Sequence, residues 1–225
     1  MASEPASVPT RQYPPPPKPE PGWPPFLAIL VAIALQILLP ERLTVGPSWL
    51  IPVLEGVLLI GLAVGTPKLE REHPRRRVVA TTLTALVSAA NIYSLTELTH
   101  FLLHHNPPHG QELIFSGLLI WLTNVLIFSL WFWELDRGGP GRRAAGHDGP
   151  PDFLFTPMTD DAIMPANWRP GFVDYLYVAL TNATALSPTD TMPLTQKAKC
   201  VMGLQSLVSI VTLALVISRA VGILG

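Results

Sequence analysis

The chain has 225 residues, 48% of them hydrophobic and 14% charged, with a mean hydropathy of +0.36 and a formal net charge of −1. That balance excludes a broad basic footprint for nucleic acid, and the single cysteine, Cys200, excludes an intramolecular disulfide or a cysteine-based zinc site within one chain. Several apolar runs approach or reach the ~17–25 residues that a bilayer-spanning helix needs, so the expected fold is an all-α polytopic bundle with the lipid bilayer as its first partner.

Residues 1–24 form a Pro-rich segment, with prolines at 14–17, 19, 21 and 24. Proline fixes φ and removes backbone donors, which predicts an extended, solvated tail, with docking to a Pro-binding partner as the functional alternative. A membrane region follows over 25–134, with apolar runs at 26–39, 49–64, 78–103 and 113–133. The first is the shortest and is closed by Pro40. It lacks the basic leader of a signal peptide and reads as an uncleaved span.

The loop between the second and third runs holds Lys68, Arg71, Arg75, Arg76 and Arg77, which places it and the N-terminus in the cytoplasm. The turn carrying His104, His105 and His109 then faces outward. The fourth span ends inside, where Asp136, Arg137, Arg142 and Arg143 follow the aromatic belt of Trp131, Phe132 and Trp133. These signs predict a multi-pass protein of the inner (plasma) membrane. Residues 135–170 read as a Gly/Pro-rich cytoplasmic loop with Phe153, Phe155 and Trp168 as scattered anchors.

Within the spans, Glu55 is an acid at membrane depth, where an ionised carboxylate costs at least ~2.5–3.5 kcal/mol. It reads as a proton or cation relay, or as a neutral Glu bonded to a neighbouring helix. Thr81, Thr84, Ser88 and Asn91 make a polar stripe on the third span. Glu97, His100 and His104 fall at i, i+3 and i+7, a spacing that can bring a carboxylate and an imidazole to one metal. Solvated histidines at a membrane edge are the competing reading, and no metal or other cofactor is assigned. No Walker loop, dinucleotide fingerprint, nucleophile elbow or His-Glu-x-x-His occurs, and no enzyme activity is expected.

The last segment, 171–225, is the most informative. A short amphipathic helix, re-entrant or interfacial, is expected over about 171–187, with Tyr175 and Tyr177 as anchors and Thr181 and Thr184 at i, i+3. A turn rich in hydroxyls follows at Ser187, Pro188 and Thr189, then Asp190, Pro193, Thr195 and a final apolar helix. On that helix Gln205, Ser209 and Thr212 share one face with Arg219, either lining a hydrated path or bonding between helices. The helix, turn, Asp190-x-x-Pro193-x-Thr195 and final helix resemble the pore module of the potassium-channel superfamily, whose loop reads T-V-G-Y-G-D followed by P-x-T.

Where that family has G-Y-G this chain has Ser187-Pro188-Thr189, and Pro188 does not allow the backbone that aligns a potassium filter's carbonyls. The resemblance covers the second half of the chain. The whole chain also resembles an uncharacterised bacterial polytopic membrane-protein family, a domain of unknown function with a similar Thr/Ser-rich loop. That likeness implies membrane location and topology.

The charges put the pore-like loop on the cytoplasmic side, with Lys197 and Lys199 in support, so the module would be inverted as in glutamate-receptor channels. A sixth crossing by 171–187 is the other arrangement. The expected function is an ion-channel-like module that passes or senses a small inorganic ion without potassium selectivity. It would act as a homo-oligomer, because one loop and one inner helix cannot enclose a pore. A non-conducting membrane scaffold or regulatory protein is the alternative, and a membrane metalloprotein the second.

Overall fold

The computed structural model describes residues 21–47, 49–65, 74–104, 110–144, 149–159, 168–185 and 190–224. Seven helices and one small β-pair form among them: α1 (Trp23–Ile37), α2 (Leu50–Gly65), α3 (Pro74–His104), α4 (Gly110–Leu135), α5 (Pro140–Ala144), β1 (Phe153–Phe155), α6 (Phe172–Ala185), β2 (Thr191–Pro193) and α7 (Gln196–Leu224). Residues 1–20 of the Pro-rich segment lie outside the described residues.

Among the described residues, three stretches are long and apolar enough to cross a membrane: Arg77–Leu102, Gln111–Gly138 and Gln196–Val221. The first two of the five expected runs are shorter helices. The α1 helix has 15 residues, ~22 Å at 1.5 Å per residue, and begins on Pro24 and Pro25 at the positions where a missing N–H costs nothing. Its C-terminal end is set by Pro40, after which a tight turn at Glu41–Leu43 leads toward α2. One face of α1 is buried, at Pro25, Ala28, Ile29, Ala32, Ile33 and Gln36, the i, i+3, i+4 pattern of a helix packed on one side.

The centre of the molecule is α4. Of its apolar stretch 67% is buried, against 33% for α3 and 22% for α7, and it packs against α1, α3, α6 and α7. The reason lies in the sequence of α4, where Leu119, Ile120, Val125, Ile127, Leu130 and Phe132 leave no polar face to turn toward water. The α4–α7 pair is antiparallel, because Gly117 meets Val216 while Asn124 meets Ser209. A methyl group on Gly117 would overlap Val216 Cγ2, so glycine is what lets the two backbones approach.

Both ends of α4 are tied down. At its start Glu112 pairs with Arg42 at 2.6 Å, and the Arg42 guanidinium lies over the Phe101 ring. At its end the chain turns sharply through Arg137, Gly138 and Gly139, all with positive φ (53°, 81° and 98°). Two glycines adopt that region without the Cβ penalty, which explains why the helix stops here.

The 135–170 segment is more organised than a loop with scattered anchors. Its strand β1 pairs antiparallel with β2, joining Phe153 to Pro193, Leu154 to Met192 and Phe155 to Thr191. Phe153 and Phe155 are buried, in ring contact with Phe132, Trp168 and Tyr175. The alternation of two buried phenylalanines about a half-buried leucine is a strand signal three residues long, too short to register as a period. Cys200, on α7, is exposed.

The close approach at Gly117 generates a test. Gly117→Ala is expected to destabilise the protein by about 1–3 kcal/mol through overpacking. Gly203→Ala on α7 has open space around it and is expected to be neutral or slightly stabilising. Thermal unfolding in detergent measures both, and equal melting of Gly117→Ala and wild type would show that the α4–α7 contact is looser than described.

Candidate functional site

The segment 172–195 begins and ends at the same end of the bundle. Tyr175, near the start of α6, packs edge-on against Phe155, and Phe155 is paired with Thr191 in β2. The 14 residues of α6 span ~21 Å, and the helix runs alongside α7. Asn182 lies ten residues into α6 and bonds Gln205, nine residues into α7, which fixes the two helices at one depth.

At the bundle end a buried carboxylate organises this module. Asp136 is fully buried. Its Oδ1 accepts from the backbone N–H groups of Asp152 (2.8 Å) and Phe153 (3.3 Å), and its Oδ2 accepts from the Tyr175 hydroxyl at 2.7 Å. Arg143, also buried, donates to the carbonyls of Trp133 and Asp136 at 2.8 and 2.7 Å, filling acceptors left free where α4 ends. Its guanidinium stacks over the rings of Trp133 and Tyr175. These two residues read from sequence as charges at a membrane edge; the structure takes both out of water.

Asp152 continues the connection. Its Oδ2 accepts from the Arg137 N–H at 3.0 Å and its Oδ1 from the Thr195 hydroxyl at 2.6 Å. Thr195 Oγ1 in turn accepts from the Ala198 N–H at 3.3 Å, the bond of an N-cap residue satisfying a free donor in the first turn of α7. Asp174 caps the start of α6 by accepting from the Gly171 N–H at 2.7 Å. Burial at this end pushes the Asp174 carboxyl above the usual range, and the Gly171 bond acts in the opposite direction.

The remaining motif residues take distinct places. Thr184 is exposed and its hydroxyl donates to Leu180 O at 2.9 Å, one turn back; Thr181 donates likewise to Tyr177 O. Asp190 is exposed. Its carbonyl accepts from the Thr156 hydroxyl at 2.7 Å, and its carboxylate from the Tyr177 hydroxyl at 3.4 Å. Pro193 belongs to β2. Ser187, Pro188 and Thr189 lie outside the described residues.

Gln205, Ser209 and Thr212 are all fully buried inside the single chain. Gln205 donates to Ala179 O and accepts from Asn182, Ser206 donates to Asn182, Ser209 accepts from Asn124 on α4, and Thr212 donates back to Val208 O. The stripe therefore joins α7 to α6 and α4. The face that α7 turns outward is apolar, with Leu204, Leu207, Ile210, Ile217 and Val221 exposed.

Elsewhere, Glu55 is fully buried. Thr84 and Ser88 bond back to their own helix, and Ser88 also accepts from the Trp131 indole at 3.0 Å. Glu97 sits beside Tyr93 and His100 is exposed; the His104 side chain, His105 and His109 lie outside the described residues. Among the described residues no three His, Cys, Asp or Glu side chains come together in a way that could hold a metal ion.

Asp152 and Asn124 are the members of these networks to which sequence reading gives no role, while Tyr175 reads as an anchor and Arg143 as a charge at the membrane edge. No protein-family model, curated protein or solved structure matches this chain.

Removing the Asp136 carboxylate tests the clasp. Asp136→Ala leaves two backbone N–H groups and the Tyr175 hydroxyl without their acceptor, at about 1–3 kcal/mol for each buried group. Tyr175→Phe removes one bond and is expected to cost less. Melting in detergent, with protease cleavage in 138–171 as a second readout, reports both; a fully stable Asp136→Ala would show that the carboxylate organises nothing.

Proposed function

We propose that this chain is a multi-pass plasma-membrane protein whose C-terminal half is built like a channel pore module, with α6 as a re-entrant helix, and works as a non-conducting scaffold. The observation that carries this reading is the fate of the α7 polar stripe. Gln205, Ser209 and Thr212 spend their hydrogen-bonding capacity inside the chain, and the helix turns aliphatic side chains outward. A pore walled by such a face would shed its water and close. The Asp190-x-x-Pro193-x-Thr195 motif has structural work here, as strand, tether and helix cap.

The basic residues support a cytoplasmic position for the Asp136 end. Arg77, Arg137, Arg142, Arg143, Arg169, Lys197 and Lys199 belong to elements that meet there, which agrees with the positive-inside rule. Arg75→Cys and Pro108→Cys, each in a Cys200→Ser background, test the orientation. Only position 108 is expected to react with an impermeant thiol reagent in intact cells, and labelling of position 75 would reverse the topology.

A conducting homo-oligomer is the second reading, favoured by one observation. Tyr177, Leu180 and Thr184 are exposed on one side of α6, with the exposed Asp190 carboxylate accepting from the Tyr177 hydroxyl, where a neighbouring copy could complete an ion path. Purified protein in liposomes separates the readings. The scaffold predicts no flux of K⁺, Na⁺, H⁺ or Cl⁻ across a range of voltages, with Asp190→Asn and Thr184→Val altering only folded yield or oligomer stability. Flux that either substitution changes would overturn it.

A further inference from the structure

The three long apolar stretches begin or end at one level of the bundle. Arg77 opens the first, Gly138 closes the second and Gln196 opens the third, and all three positions lie at the Asp136 end. On the reading that these stretches cross a bilayer, this level is the boundary between hydrocarbon and headgroups. The side chains there are sorted by charge. Asp136 is fully buried, the Asp152 oxygens accept from the Arg137 N–H and the Thr195 hydroxyl, and the half-buried Asp174 accepts from the Gly171 N–H. Asp190 is exposed, with its carboxylate on the Tyr177 hydroxyl. Arg77, Arg142, Lys197 and Lys199 are exposed too, and among the described residues none of the four pairs with a carboxylate.

Two of these bases converge on one turn. A Cβ added to Gly138 would lie 2.8 Å from Arg142 Cδ, and one added to Gly139 would lie 3.9 Å from Arg77 Nε. Bare glycine backbone thus lets side chains from α5 and α3 lie over consecutive residues. Glu134 Oε2 reaches the same turn, 3.1 Å from the Cβ position on Gly139, so two guanidinium groups and one carboxylate leave a single positive charge. A phosphodiester carries one negative charge and presents paired oxygens of the kind that a planar guanidinium binds two at a time. At the same end Val173, Met192 and Leu194 expose apolar side chains. Bases mixed with aliphatic groups suit the boundary between headgroups and acyl chains, whereas a soluble polyanion would gain nothing from the aliphatic ones.

We propose that this rim binds anionic phospholipid. Arg77 and Arg142 hold the headgroup phosphate, Lys197 and Lys199 select lipids of net negative charge, and Met192 and Leu194 enter the acyl boundary. The proposal rests on the multi-pass reading above, and it stands whether or not the C-terminal module conducts.

The test is thermal unfolding of the purified full chain in neutral detergent at pH 7.5, with phosphatidylglycerol or phosphatidylcholine added to the micelles. Binding to the folded state alone raises Tm saturably with phosphatidylglycerol, by roughly 5 °C or more at a hundredfold excess over the dissociation constant, and phosphatidylcholine gives little. Added NaCl moves the half-saturating concentration upward. Arg77→Gln combined with Arg142→Gln is expected to raise that concentration roughly tenfold or more, and Gly203→Ala to leave it unchanged. If the arginine pair gives no folded protein, Lys197→Gln combined with Lys199→Gln serves instead and is expected to narrow the preference between the two lipids. Equal shifts with the two lipids, a response that these variants retain in full, or the whole shift from inorganic phosphate or polyglutamate overturns the proposal. Carbonate washing of cell membranes tests the reading beneath it. Protein released by carbonate sinks both, whereas retained protein without a phosphatidylglycerol response sinks this proposal alone.

Discussion

A carboxylate can be sealed from water only when protein donors replace the water it loses, and Asp136 meets that condition with donors from two separate parts of the chain. Two backbone N–H groups come from the start of β1 and one hydroxyl from α6, while the carboxylate itself stands where α4 ends. Each donor has a reason to stay in place only because the others do. The reversal through Arg137 and the two glycines brings the chain back over its own helix end, and Arg143 fills the carbonyls that the reversal exposes. From this junction the connection passes through Asp152 to Thr195, and so to the first turn of α7.

The same economy governs the polar residues buried between the long apolar helices. In lipid, apolar surface gains nothing by facing another helix, so association rests on packing and on hydrogen bonds worth on average ~0.6 kcal/mol each. The Asn182–Gln205–Ala179 and Asn124–Ser209 bonds supply such contacts at the interfaces where α7 meets α6 and α4. The outward faces of α1, α2 and α7 are left largely apolar, as a lipid contact would require. Glu55 departs from the pattern, being equally buried with only the Gln36 amide beside it.

What could be read from the sequence follows from which signals are local. The three long helices were legible because hydropathy accumulates along a run. The junction at Asp136 was not. Its partners lie 16 and 39 residues away, and an Asp-Arg step after a tryptophan belt has the same appearance whether it is bathed in water or sealed. The polar stripe on α7 was visible as a face, but periodicity cannot say what that face meets, and only the packing of α6 and α4 decides between lining and bonding. The short strand β1 was hidden because three residues set no period.

The glycine at position 117 has a mechanical meaning. With Val216 seated where its side chain would be, α4 and α7 have one register, since a slide of one helical turn, ~5.4 Å, would bring Leu113 or Trp121 to the place of the glycine. Close-packed surfaces of this kind switch between discrete arrangements or do not move at all. The α4–α7 pair therefore behaves as a single rigid strut, and a change of shape would pivot about it, in the helices at its flanks, rather than run through it.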